Sequence, residues 1–95
     1  MKKKKSAKKS GWHIGNLYLI RTVTNYIVGE LVDIDDHELV MDQAAWVPCT
    51  GRFGDALRTG KLEEVEPYPD GYVMVGRGAI VDACVWGHPA QRVVL

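Results

Sequence analysis

What most limits how this chain can fold lies between Tyr72 and Trp86, "YVMVGRGAIVDACVW". Two runs of β-forming residues meet there at Gly76-Arg77-Gly78, which reads as the tip of a hairpin. The second run, Ala79 to Trp86, is largely apolar, with β-branched residues at its start. At the rim of an isolated sheet, such a strand would offer unpaired N–H and C=O groups beside apolar side chains, an invitation to pair with another chain. A stable fold must therefore enclose this strand, by curling its sheet or by recruiting a second molecule.

The rest of the chain supplies a curled sheet. Leu17 to Val23 predicts a first strand, Asn25 a turn, and Tyr26 to Ile34 a second strand. Gly29, in the middle of that second strand, marks a sharp bend or a close backbone approach. Asp35-Asp36 forms a tight turn, and His37 to Val47 predicts a third strand that bulges or ends near Gln43 and is stopped by Pro48. Thr50 to Gly60 predicts a short helix: Thr50 caps it, Asp55 suits its early turns, and Gly60 gives the left-handed stop. Phe53 and Leu57 share one face of that helix. Leu62 to Glu66 resumes extended structure before the Pro67 to Gly71 turn, and Tyr72 to Val75 and Ala79 to Trp86 complete five or six strands. The expected fold is mostly β, a small, partly closed antiparallel barrel with one short helix, in a single domain over residues 11–95. At 95 residues the chain has an adequate core but not a generous one, which makes help from association reasonable.

Charge divides the sequence in two. Residues 1–9 hold six of the twelve basic residues and no acid, whereas residues 10–95 hold six basic and twelve acidic ones. Residues 1–10 are expected to be a disordered tail whose Lys2, Lys3, Lys4, Lys5, Lys8 and Lys9 suit phosphate backbones. The acidic remainder excludes a nucleic-acid footprint covering the whole body. Ser6 to Ser10 stands where a secretory leader would need an apolar segment, so no such leader is expected. No apolar run approaches the ~20 residues of a membrane-spanning helix. A cytoplasmic protein without membrane partners is the resulting expectation, and Cys49 and Cys84 are read as reduced thiols.

Few residues make a case for catalysis. His13, His37 and His88 lack metal-ligand spacing with each other or with the cysteines, so neither a metal nor another cofactor is expected. Cys49 precedes the helix, but no histidine is placed by sequence as its base, and an enzyme is not the reading. Gly76-Arg77-Gly78 lacks the third glycine and the strand-to-helix setting of a dinucleotide loop. Arg77 has two readings: a guanidinium that holds a phosphate, or a solvated tip whose flanking glycines only supply turn geometry. Arg52 and Arg58 on the short helix are the next ligand-binding candidates. Trp12, Trp46 and Trp86 are read as core or interface residues rather than base-stacking ones, because no basic residues are interleaved with them.

Two segments resemble a known family. "GELVDIDDHELVMDQA", residues 29–44, is similar to the first Sm motif of Sm-like proteins, with Gly29, Leu31, Asp35, Val40, Met41 and Ala44 at its positions. Val73 to Val81 looks like the second Sm motif, a strand ending in Arg77-Gly78 followed by an apolar strand. The resemblance implies a bent, SH3-like barrel whose subunits pair edge strands into a homo-oligomeric ring, with RNA or a small nucleotide as ligand. The chain departs from the pattern at His37-Glu38-Leu39, where the family carries a base-reading asparagine, and at the helix-bearing insertion 48–61. In the order of its parts ("YLIRT", "VGEL", "AAWV", then a helix) it also resembles small uncharacterised proteins carried by phages and prophages. The combined expectation is a non-enzymatic, ring-forming binding module of phage origin. Two alternatives stand beside it: an accessory virion protein acting through protein contacts, and an anti-defence protein sequestering a host signalling nucleotide.

Overall fold

The structure, a computed structural model, describes residues 11–90. The lysine-rich segment 1–10 and residues 91–95 lie outside the described residues, and so does the expected disorder of the tail. Six antiparallel strands form one sheet: β1 (Leu17–Thr22), β2 (Tyr26–Ile34), β3 (Glu38–Cys49), β4 (Glu64–Pro67), β5 (Val73–Gly76) and β6 (Ile80–Val85). Among the described residues a single α-helix, α1 (Phe53–Thr59), interrupts them, and the 3₁₀ turn Arg77–Ala79 joins β5 to β6. The strand order is β4-β3-β2-β1-β6, with β5 also on β3, and no pairing among the described residues links β6 back to β4 or β5. The sheet is thus curled but not closed.

The long strand β3 organises the curl. Glu38 to Met41 pair with β5, whereas Ala45 to Cys49 pair with β4. Between these halves Gln43 takes a left-handed φ of 50°, which breaks the ladder, and the Tyr68–Gly71 turn fills the break. Ala44 N–H donates to the Gly71 carbonyl at 2.8 Å, and Tyr68 N–H donates to the Ala44 carbonyl at 3.0 Å. Opposite the bulge lies Gly29, and a Cβ there would come within 3.1 Å of Ala44 Cα and of the Asp42 carbonyl oxygen. The glycine marks close backbone approach, the second of its two sequence readings.

Both faces of the central strands are buried, because side chains of alternating parity point to opposite sides. Tyr18, Ile20, Ile27, Leu31, Leu39, Met41, Ala44 and Val75 form one apolar cluster, against which Trp12 packs. Leu19, Val28, Ala45 and Val47 form the other, together with Ala56, Leu62, Val65 and Trp86. The helix covers this second cluster. It starts at Arg52 without a side-chain cap, so Thr50 is not the cap expected of it; the Thr50 hydroxyl instead donates to the Gly51 carbonyl. Gly60 ends the helix in the left-handed conformation at φ 79°, its N–H donating to the Ala56 carbonyl. His88 Nε2 donates to the Leu57 carbonyl at 2.7 Å and its ring meets Trp86, tying the segment after β6 to the helix.

Pro48 does not stop β3. Its missing N–H falls where the β3–β4 register shifts and beyond the last β2 partner, so no ladder bond is lost there. The larger correction concerns Gly76-Arg77-Gly78, which is not a hairpin tip. β5 and β6 pair with β3 and β1 respectively, and the chain passes between them through the 3₁₀ turn.

Candidate functional site

The arrangement at Arg77 begins with Asp35. Its Oδ1 accepts the backbone N–H groups of His37 at 2.7 Å and Glu38 at 2.9 Å, which fixes the turn between β2 and β3. These backbone bonds hold the Asp35 carboxyl below its ordinary value, and the nearby positive charges of His37 and Arg77 act in the same direction. Pairing of Glu38 with Gly76 brings the 3₁₀ turn against this β2–β3 turn. Arg77 then closes the junction twice: its backbone N–H donates to the His37 carbonyl at 2.9 Å, and Nη1 donates to the Asp35 carbonyl at 2.7 Å. Two segments separated by 42 positions of sequence become one exposed ridge.

Arg77 stays exposed, with one guanidinium N–H engaged by Asp35 and others left for an incoming acceptor. The glycines beside it have no conformational need to be glycine. Gly76 has an ordinary φ of −66°, Gly78 is not among the positive-φ residues, and a Cβ at either would meet nothing within 4 Å. The backbone conformation of this turn therefore does not itself require glycine at either position. A residue without side chain, in an unstrained and open position, keeps backbone accessible to something approaching from outside.

Arg52 and Arg58 are not brought to this ridge. They belong to the helix beyond the far end of β3, where Arg58 Nη2 donates to Asp55 Oδ1 at 2.8 Å in a surface ion pair. A shallow depression of about 400 Å³ there is lined by Thr50, Arg52, Lys61, Asp55 and Glu63, so its cations face carboxylates. Cys49 and Cys84 are free and half-buried. Burial, with Asp82 nearby, raises the Cys84 thiol above its ordinary value. Among the described residues no three metal-ligating side chains gather, and no helix is long and apolar enough to cross a membrane.

Sequence reasoning missed two features. The first is a second free rim. β6 exposes Val81 (55%) and Val85 (59%), as its apolar run implied, but β5 forms a rim of its own and exposes Met74 (67%). The second is a groove of about 390 Å³ along β6, lined by Gly11, Trp12, Tyr18, Ile80, Ala83 and Val85 among others. The misread hairpin concealed the first, because it paired β5 with β6; nothing local signals the second, which arises from contacts between the two ends of the described chain. No family model, curated protein or solved structure matches the chain.

Proposed function

We propose that this chain is a non-enzymatic, self-associating β module of Sm-like type. Its subunits pair through the free rims of their sheets into a ring, and it binds RNA or a nucleotide through a phosphate held at Arg77. The observation that carries the ligand site is the Arg77 ridge. An exposed guanidinium, fixed by the Asp35 turn, lies between two unstrained glycines whose surroundings are open. Arginine suits this role because its planar fork meets phosphate oxygens in pairs. Association is supported by the exposed valines of β6 and by Met74 at the opposite rim, since unpaired strands with apolar faces are templates for another chain. A closed ring satisfies every rim at once.

The glycines offer a test that separates binding from folding. Gly76→Ala and Gly78→Ala place a methyl group in open space on compatible backbone, so the fold is expected to hold or to gain about 0.4–1 kcal/mol each. Titration of a fluorescent single-stranded RNA then reads the ligand surface. Weaker binding by these variants and by Arg77→Ala is the expected result, with the melting temperatures of the glycine variants unchanged or raised. Full-strength RNA binding by all three removes Arg77 from the account. A role through protein contacts draws support from the exposed apolar side chains of Ile14 (59%), Val23 (79%) and Phe53 (45%). Purified protein free of material absorbing near 260 nm, recovered in a larger protein assembly, would favour that role.

A further inference from the structure

The two rims of the sheet carry matching sets of outward backbone groups. In an antiparallel ladder, residues that exchange hydrogen bonds with one neighbour alternate with residues whose N–H and C=O point the other way. Trp86 N–H donates to the Leu17 carbonyl at 2.8 Å, and the β1–β6 register sets Leu19 opposite Cys84 and Arg21 opposite Asp82. Asp82 and Cys84 therefore turn their backbone groups toward β1, and Ala83 and Val85 turn theirs outward. On the other rim, Arg77 N–H donates to the His37 carbonyl at 2.9 Å, with Leu39 opposite Val75 and Met41 opposite Val73. Val73 and Val75 thus face β3, which leaves Met74 and Gly76 with outward groups. Among the described residues neither outward set has a strand to bond.

One alignment engages all four residues at once. Set antiparallel, Met74 opposite Val85 brings Gly76 opposite Ala83, so every outward group on one rim meets one on the other. Three further observations agree with it. Met74 and Val85, both exposed apolar side chains in the single chain, cover each other. Gly76, where a Cβ would meet nothing within 4 Å, faces an alanine, and two small residues let the backbones close. Just past the strand, Arg77 falls opposite Asp82, which joins opposite charges. Asp82 already accepts from Arg21, while Arg77 engages the Asp35 carbonyl through Nη1 and keeps other N–H groups for a carboxylate and for phosphate. Sliding the alignment by two residues in either direction preserves the backbone alternation but sets Val75 or Ala79 against Asp82, and the charge match is lost.

We infer that β5 of one copy adds to β6 of the next as an antiparallel strand, with Met74 opposite Val85, Gly76 opposite Ala83 and Arg77 opposite Asp82 across the junction. This inference rests on the proposed self-association and names the register that carries it; it requires no ligand.

The test uses the full-length chain carrying Cys49→Ser and Cys84→Ser, with two new cysteines oxidised by copper phenanthroline and read on a non-reducing gel. Opposite residues of a hydrogen-bonded antiparallel pair lie about 5.5 Å apart at Cα, within the span of a disulfide. Diagonal neighbours lie about 7–8 Å apart, beyond it. Met74→Cys with Val85→Cys should therefore give a covalent ladder ending at the size of the closed oligomer. Gly76→Cys with Ala83→Cys should give the same ladder, and Met74→Cys with Ala83→Cys should run as single chains. Positions 74, 76 and 85 are open, so these variants should keep the parent circular dichroism spectrum. A ladder strongest for Met74→Cys with Ala83→Cys overturns the register while association stands. No ladder from any pair, in a protein that native mass spectrometry shows as a closed oligomer, overturns the β5–β6 junction and leaves association intact. A chain that stays monomeric removes both.

Discussion

Replacing Gly29 with alanine measures how tightly the two central strands are pressed together at the β3 bulge. The added Cβ would lie 3.1 Å from Ala44 Cα, 3.1 Å from the Asp42 carbonyl oxygen and 3.2 Å from Ala44 Cβ. Two of these neighbours are backbone atoms that cannot rotate aside, so β2 and β3 must part by a few tenths of an ångström. Overpacking of this kind costs about 1–3 kcal/mol. Alanine's smaller loss of chain entropy on folding returns about 0.4–1 kcal/mol. The central values, about 2 kcal/mol lost and about 0.7 kcal/mol returned, leave a net destabilisation of about 1.3 kcal/mol, which for a domain of this size lowers Tm by about 5–10 °C. Differential scanning calorimetry at fixed protein concentration gives the shift directly. Adding Ala44→Gly relieves only the 3.2 Å approach, so the double variant should recover part of the loss and not all of it. A Gly29→Ala protein as stable as the parent, or more stable, would refute the close-approach reasoning.

Other expectations follow from the same geometry. Leu31 is fully buried in the cluster that Trp12 covers, and Leu31→Ala should lower stability by about 2–5 kcal/mol in urea denaturation. Asp35, with its carboxyl held below the ordinary 3.8 by backbone N–H groups, contributes stability above the unfolded carboxyl pKa that is lost as pH falls through the folded one. Asp35→Asn should therefore flatten the acid limb of the Tm–pH curve below about pH 4, leaving the neutral region little more pH-dependent than before. Cys84, raised by burial, should alkylate more slowly with iodoacetamide at pH 8 than in urea, with mass spectrometry of the peptide from Gly78 to Arg92 as the readout.

Much of the fold was legible because its signals are local. The bounds of β2 were set by apolar residues on both parities between two turns, and a strand buried on both faces needs that pattern. Gly60 announced its left-handed stop, and Gln43 lies where an irregularity in β3 was expected. What failed was decided elsewhere in the chain. Gly76-Arg77-Gly78 has the composition of a hairpin, but β5 and β6 find β3 and β1, and only those distant partners fix the path between them. Thr50 was placed to cap a helix that begins three residues later, at Phe53. Of the site, Arg77 was legible as a residue, but its bond to the Asp35 carbonyl crosses 42 positions of sequence and was not. Trp12 read as a core or interface residue, and it packs against the first apolar cluster while lining the groove along β6.

Native mass spectrometry of the purified full-length protein at micromolar concentration addresses association most directly. Among the described residues the sheet leaves the β6 rim, with Val81 and Val85, and the opposite rim, with Met74, unpaired; in the proposed ring these two rims join from one subunit to the next. The account predicts that single species, with Val85→Lys shifting it toward the monomer without loss of fold. A wild-type protein that remains monomeric across that concentration range contradicts it.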